Sequence, residues 1–198
     1  MVTPPSSGDA RKKPGKVPGP PRSTRIALKR VVLPALRARG FEGELPDLRR
    51  VSAEGTHFFN VQTNKYGGSF IVNLGRIPPG PFTTRSGEFI SPELLTLVHA
   101  RGNNAARLRA KPHVLETRWF QYGQTHSSKA WAHLRPLLGL GRPTPFIPEF
   151  ERAAREVLAL LPECDQWWAG ADGLPHVRSS AEAERAQHEA WINRPRMT

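Results

Sequence analysis

Apolar residues recur at three- and four-residue spacing in several stretches of this chain, which is typical of helices that bury one face. The first stretch covers residues 23–39 and begins with a serine and a threonine, either of which can cap a helix. Gly40 ends it, and Pro34 lies inside it, where a proline removes a backbone donor. We therefore expect a kink or a break near Leu33. The apolar stripe of this helix consists of Ile26, Leu28, Val31, Val32 and Leu36.

Further helices are predicted in the second half of the chain. The clearest covers residues 148–161 and should stop at Pro162, because a proline cannot continue the hydrogen bonding of a helix. A charged helix with few apolar residues is expected at 180–192, so its docking should be weak. Shorter helices are expected at 91–99, where the sequence Ser-Pro-Glu is typical of a helix start, and at 127–138.

Short β-rich runs predict three strands between these helices, at Leu48–Val51, His57–Thr63 and Ser69–Ile77. The segments that separate the runs are rich in Gly, Ser and Asn, which favours tight turns and an antiparallel meander. A further strand is expected within Val114–Gln121.

The loop between the second and third strands fixes their register. With residues 65–68 as the loop, one continuous apolar face is formed by Val61 with Val72, Phe59 with Leu74 and Thr63 with Phe70. The opposite face carries Asn60, Gln62, Ile71 and Asn73. Because amides offer paired donors and acceptors, we predict that Asn60, Gln62 and Asn73 form a binding surface. The alternative is that they face solvent or hydrogen-bond a covering loop.

The order of these elements predicts an α+β fold, with an N-terminal helix, an antiparallel β-meander and C-terminal helices packed on one sheet face. Residues 1–22 are dominated by Pro, Gly, Ser, Lys and Arg and should form a disordered basic arm. The single folded domain is expected at 23–178. Residues 179–198 should form a weakly docked helix and tail.

The chain carries a formal charge of +12, from 29 Lys and Arg against 17 Asp and Glu. This excess favours an acidic macromolecular partner, although it is equally typical of a solvated basic surface. The candidate basic contacts are Arg11, Lys12, Lys13, Lys16 and Arg118. The aromatic residues that could stack on bases are attributed to core packing, and we expect a protein partner rather than a nucleic acid.

Composition also bears on the compartment. No apolar run is long enough for a membrane span, and the N-terminal residues lack the apolar core of a secretory signal. The single cysteine, Cys164, excludes an intrachain disulfide and agrees with a reducing compartment. We therefore expect a cytoplasmic protein that does not insert into membranes.

Sequence motifs for catalysis or metal binding are absent. None of the seven histidines lies in an H-E-x-x-H arrangement, and no G-x-S-x-G sequence or phosphate-binding glycine loop occurs. Cys164 lies between Glu163 and Asp165, whose charges should raise the pKa of its thiol and keep it unreactive. The sequence thus predicts no catalytic residue, no metal and no cofactor.

Four short segments carry a resemblance to a known family. They are VVLPALRARGF at 31–41, LRRV at 48–51, HFFNVQ at 57–62 and FIVNLG at 70–75. Together they resemble the bacterial domain-of-unknown-function family 4304, in which a helix ending in Gly-Phe precedes two strand signatures. The likeness covers residues 25–168 and is sharpest over 33–75. It implies an α+β domain found in bacteria and supplies no activity, cofactor or catalytic residue.

These observations give one leading hypothesis and two alternatives. The leading hypothesis is a bacterial non-enzymatic binding module, of an immunity or accessory type, that acts by protein–protein contact. One alternative is a nucleic-acid-binding protein that uses the basic arm and residues 101–118. The other is an enzyme whose polar groups converge only in three dimensions, with Asn60, Gln62 and Asn73 lining its pocket.

Overall fold

The computed structural model describes residues 20–64, 68–84, 86–112, 119–122 and 147–192. Within them an antiparallel sheet carries helices on one face, and the predicted α+β class, with its meander and C-terminal helices, is confirmed. Residues 1–19 of the predicted arm, most of the strand expected at 114–121 and the helix expected at 127–138 lie outside the described residues.

The described residues form four α-helices, nine strands and three short 3-10 turns. The helices are α1 Pro20–Val31, α2 Leu33–Ala38, α3 Ile147–Trp168 and α4 Ser180–Ile192. The strands are β1 Glu42–Glu44, β2 Asp47–Ser52, β3 Gly55–Thr63, β4 Ser69–Ile77, β5 Phe82–Thr83, β6 Phe89–Ile90, β7 Ala105–Leu108, β8 Phe120–Gln121 and β9 Val177–Ser179. The 3-10 turns are Pro92–Leu94, Leu97–His99 and Gly102–Asn104. None of the described helices is long and apolar enough to cross a membrane.

The main sheet has the strand order β1-β2-β3-β4-β7-β9, and β8 pairs with the first residues of β4. Every pairing is antiparallel, and β5 and β6 form a separate ribbon. The predicted register of the central hairpin is confirmed, with Val61 opposite Val72, Phe59 opposite Leu74 and Thr63 opposite Phe70. The apolar side chains of this face pack with α1, α2 and α3 in one core.

Pro34 divides the N-terminal helix as predicted. The break falls between α1 and α2, so Pro34 lies in the first turn of a new helix, where its missing amide donor costs nothing. Gly40 follows with a φ of +80°, a conformation that glycine adopts without strain. The predicted apolar stripe is wrong at Ile26, which is 46% exposed, because Ala27 and Leu28 take the inward positions.

Helix α3 is longer than the sequence pattern predicts. It continues through Pro162 to Trp168, so the prediction that Pro162 ends the helix is wrong. The proline lies on the exposed side of the helix, and beyond it the buried stripe continues with Cys164, Trp167 and Trp168. Burying two indole side chains, at roughly 3 kcal/mol each, outweighs the cost of about 3 kcal/mol for a proline inside a helix.

Two 3-10 turns replace the helix expected at 91–99. The first starts at Pro92, as the sequence indicates, but it lasts only three residues. Thr96 is extended, with a φ of −131°, and its amide donates to His99 Nδ1 at 2.9 Å, so a second turn begins there. In this arrangement the side chain of Leu95 is buried against the sheet.

Residues 78–84 and 86–104, which we call the outer cover, lie on part of the sheet face that is turned away from α1 and α3. The contact is an apolar cluster of Phe58, Ile77, Leu95 and Ala100 with Phe82, Ile90, Leu97 and Ala105. Gly75 allows the outer cover to approach β4, because a Cβ there would lie 2.8 Å from Leu97 Cδ1 and 3.1 Å from Ala100 Cβ. A side chain at position 75 would therefore displace the cover.

Helix α4 begins with a reciprocal cap on the edge strand β9. Ser179 Oγ accepts a hydrogen bond from the Glu182 amide at 3.1 Å, and a Glu182 carboxylate oxygen accepts one from the Ser179 amide at 2.8 Å. The observed bounds of α4 equal the predicted 180–192. Because Ser179 also belongs to β9, the cap connects this helix to the sheet.

A buried histidine lies where β3 meets the end of α3. His57 Nδ1 accepts a hydrogen bond from Arg50 Nε at 3.2 Å, and the Arg50 guanidinium lies 5.6 Å from the ring centre of Trp168. Burial, helped by the positive charges of Arg50 and Arg76, lowers the pKa of His57 from 6.5 to about 4. The imidazole is therefore neutral in the folded protein at neutral pH.

His57 should make the domain less stable in acid. Because the pKa of His57 is lower in the folded protein than in the unfolded chain, the unfolded chain binds the proton first as the pH falls. The stabilisation is complete above pH 6.5, is lost between pH 6.5 and about 4, and amounts to roughly 3 kcal/mol. Urea unfolding across this pH range measures the loss, and His57→Gln should reduce it by that amount. Equal losses in the two proteins would contradict the assignment.

Candidate functional site

Five polar residues lie in one line across the outer face of the sheet. The strand register places them opposite one another on the neighbouring strands β2, β3, β4, β7 and β9. In this order they are Asp47, Asn60, Asn73, Arg107 and Arg178. With about 4.8 Å between strands, the line is roughly 19 Å long. We call these five residues the polar row.

Hydrogen bonds join the first three members of the polar row. Asn73 Nδ2 donates to Asn60 Oδ1 at 2.9 Å, and Asn60 Nδ2 donates to Asp47 Oδ1 at 2.6 Å. Both amides thus direct donors toward the Asp47 carboxylate, and a bond to a charged acceptor is stronger than one between neutral groups. The orientation of the two amides is fixed before any partner arrives.

The polar row is negative at one end and positive at the other. Asp47 is exposed on β2, whereas Arg107 is exposed on β7 and Arg178 is half-buried on β9. Arg178 Nη2 also donates to the Glu182 carbonyl at 3.2 Å, which holds this side chain against the start of α4. Directly opposed residues on neighbouring strands lie about 5 Å apart, so both guanidinium groups can reach a single anionic group.

The third predicted amide, Gln62, lies on the same face as Asn60 and Asn73. It is exposed, one pleat from Asn60, and it opposes the buried residue Ile71. The structure therefore brings the three amides to one side of the sheet, although only Asn60 and Asn73 contact each other. Their role in binding stays a prediction.

The outer cover borders the polar row and does not bond to its amides. It packs over Phe58, Gly75 and Ala105, each two residues along its strand from a member of the row. Among the described residues, the side-chain hydrogen bonds of Asn60 and Asn73 go to each other and to Asp47. The alternative that a covering loop binds these amides therefore does not hold for the described part of the chain.

A cavity of about 400 Å³ lies on the other side of the sheet, between α1, the turn after β1 and the end of β3. None of the three amides lines it. The enzyme alternative expects a pocket lined by Asn60, Gln62 and Asn73. The cavity gives that expectation no support.

The structure adds members to the site that sequence reasoning misses. Asp47 directly precedes the predicted strand 48–51, and extending that strand by one residue would have placed Asp47 opposite Asn60. Arg107 and Arg178 lie on strands that the sequence does not predict, so no pattern indicated their positions. The predicted basic contacts Arg11, Lys12, Lys13, Lys16 and Arg118 lie outside the described residues.

The described residues present no candidate metal centre and no accessible thiol. No group of three or more His, Cys, Asp or Glu side chains that could hold a metal occurs among them. Cys164 is buried, and burial, together with the charges of Asp165 and Glu163, raises the pKa of its thiol. Core packing, to which the sequence analysis attributes the aromatic residues, is observed for four of them: Phe120, Tyr122, Trp167 and Trp168 are buried.

Comparison with known proteins finds one family. The family model described as Domain of unknown function (DUF4304) matches residues 32–137. No curated protein and no solved structure matches the chain. The matched range contains every member of the polar row except Arg178, and it leaves out α1, α3, β9 and α4.

Proposed function

This chain belongs to the DUF4304 family, as its motifs predict, and from that premise we propose that it is a non-enzymatic binding module. It acts by protein–protein contact, as an accessory or immunity-type protein of a bacterial cytoplasm. The observation that carries the proposal is the polar row, whose five side chains cross the outer sheet face and end in two neighbouring arginines.

The arginine end of the polar row fits an acidic side chain of a partner protein. Arg107 and Arg178 oppose each other on β7 and β9, and guanidinium groups bind carboxylates with two parallel hydrogen bonds. The amide of Asn73, on the strand next to Arg107, and that of Gln62, farther along the same face, can bond to backbone groups of the partner segment. We therefore propose that a carboxylate of the partner lies between the two arginines. The backbone groups of the partner segment then form hydrogen bonds with the amides.

The acidic end of the polar row favours a protein over a nucleic acid. Duplex DNA carries a negative charge about every 1.7 Å along its axis, so a phosphate chain that follows the row would meet the Asp47 carboxylate. A protein segment avoids this repulsion because it can place a basic or neutral residue there. The row thus complements a segment with an acid at one end and a base at the other.

The net charge of +12 favours a second function, the binding of nucleic acid. It would use the basic arm and residues 101–118, not the polar row. Such binding loses affinity steeply as salt rises, because neutralised phosphates release counterions. Titration of mixed DNA and RNA at low and high salt distinguishes the two functions.

Replacing Asn60, Gln62 and Asn73 together by alanine should abolish capture of the protein partner. The triple variant loses the hydrogen-bonding groups of the face but keeps the core, so the free energy of unfolding should fall by no more than about 2 kcal/mol. Quantitative mass spectrometry of proteins retained on the immobilised full chain at moderate salt identifies the partner. Titration of the purified partner with both proteins then measures the loss.

A matched control removes an amide elsewhere. Gln166 is an exposed side chain of α3, on the helix side of the sheet, and Gln166→Ala should keep full binding. Retained binding in the triple variant would assign Asn60, Gln62 and Asn73 to scaffolding. A collapse of its stability would have the same meaning.

A further inference from the structure

The cavity on the helix side of the sheet has an apolar wall and a cationic rim. Its volume is about 400 Å³, within the range of small-molecule sites in proteins. The residues that line it are Arg22, Thr24, Arg25, Leu28, Leu45, Pro46, Val61 and Thr63. Four of these side chains are apolar and come from three separate elements, and two are guanidinium groups.

The apolar wall is built from the same core that supports the sheet. Leu28 of α1, Leu45 of the turn after β1 and Val61 of β3 are all buried, so their positions are fixed by packing. Thr24 and Thr63 add hydroxyl groups to the lining, one from the helix and one from the strand. A wall of this kind receives an aliphatic chain without reorganisation.

The two arginines are placed as a pair. Arg22 and Arg25 are three residues apart on α1, a spacing that puts both side chains on one face of the helix. Arg25 Nη2 donates to the Leu45 carbonyl, which holds its guanidinium at the cavity. Both side chains are exposed, so water and solutes reach them.

Arg22 and Arg25 have no acidic partner in the described part of the chain, unlike several other arginines. Five arginines form ion pairs with carboxylates: Arg30 and Arg155 with Glu151, Arg39 with Asp165, Arg76 with Asp172 and Arg152 with Glu156. Within the described residues, no carboxylate pairs with Arg22 or Arg25. Two positive charges beside an apolar cavity therefore favour an anionic ligand over a neutral one.

We propose that this cavity binds a small amphiphilic anion, in which a short aliphatic chain enters between α1 and β3 and a carboxylate pairs with Arg22 and Arg25. The site is independent of the polar row, since it lies on the opposite face of the sheet. All four of its helix residues precede the range that matches the family, so the site depends on α1 of this chain.

Isothermal titration of the full chain with octanoate tests the proposal. Octanoate should bind with one-to-one stoichiometry. Acetate, which has the charge without the chain, and octanamide, which has the chain without the charge, should each bind at least about tenfold more weakly. Equal binding of acetate would reduce the site to an adventitious ion contact. Equal binding of octanamide would remove the role of the arginines, and absence of octanoate binding would overturn the proposal.

Three variants locate the site. Arg22→Gln with Arg25→Gln should weaken octanoate binding by about tenfold or more, because charge-assisted hydrogen bonds are lost. Thr63→Phe should block the cavity, while an aromatic residue suits a strand end and keeps the fold. Arg185→Gln, an exposed arginine on α4, is the matched control and should bind as the unmodified chain does. Unchanged affinity in the double glutamine variant, with an unchanged melting temperature, would overturn the assignment.

Discussion

Replacing Val72 by aspartate should unfold the domain. Val72 is fully buried on the central strand β4, between Val61 of β3 and Leu108 of β7. An aspartate there would place a carboxylate in the apolar core, where it must either stay charged without a partner or take up a proton. The expected loss is at least about 4 kcal/mol, against a total stability of about 5–15 kcal/mol for a typical domain. Thermal unfolding followed by circular dichroism measures it.

Gln62→Asp is the matched control for this prediction. It introduces the same charge on the adjacent strand, but Gln62 is exposed on the other face of the sheet. A surface substitution of this kind changes the free energy of unfolding by about 0.5 kcal/mol or less. If both substitutions lowered the melting temperature equally, the assignment of the buried and the exposed face would be wrong.

The central hairpin could be predicted because local signals agree there. Residues 57–63 and 69–77 combine β-branched and aromatic residues, and the glycines between them set the loop length. Once the loop is fixed, the alternation of a strand determines which residues face each other. That is why the opposition of Asn60 and Asn73 follows from the sequence, although the hydrogen bond that joins them does not.

The other half of the polar row could not be predicted, because β7 and β9 carry no strand signal of their own. The sequence of β7 is Ala-Ala-Arg-Leu, which favours a helix as much as a strand, and β9 has only three residues. Both become strands by pairing in the sheet, β7 with β4 and β9 with β7. The positions of Arg107 and Arg178 therefore depend on tertiary contacts between residues far apart in the chain.

Burial explains the two helix predictions that are wrong. At 91–99 the sequence offers a good start, but a 3-10 turn that ends early lets Leu95 pack on the sheet. At Pro162 the sequence offers a stop, but the inward positions of the next two turns are occupied by large apolar side chains. In both segments, the burial of apolar side chains in the observed structure outweighs the local sequence preference.

Replacing Trp168 by alanine should cost about 3–5 kcal/mol, the range for a large aromatic residue in a core. Trp168 is buried, its ring centre lies 4.8 Å from that of Phe41, and its Nε1 donates to the Gly75 carbonyl at 3.1 Å. The substitution removes the anchor of the last turns of α3 and the hydrogen bond that the indole donates to β4. Urea unfolding of the two proteins measures the difference.

Pro162→Ala in the same helix should have the opposite effect. Alanine supplies the missing amide donor and removes the ring from the exposed side of α3, so the free energy of unfolding should rise by about 1–3 kcal/mol. The two variants measure two opposing effects separately. Pro162→Ala measures the cost of the proline inside α3, and Trp168→Ala measures the stabilisation from the buried residues that follow it. Loss of stability in Pro162→Ala would mean that the proline ring itself supports the fold. A loss below about 1 kcal/mol in Trp168→Ala would mean that α3 does not depend on its last turns.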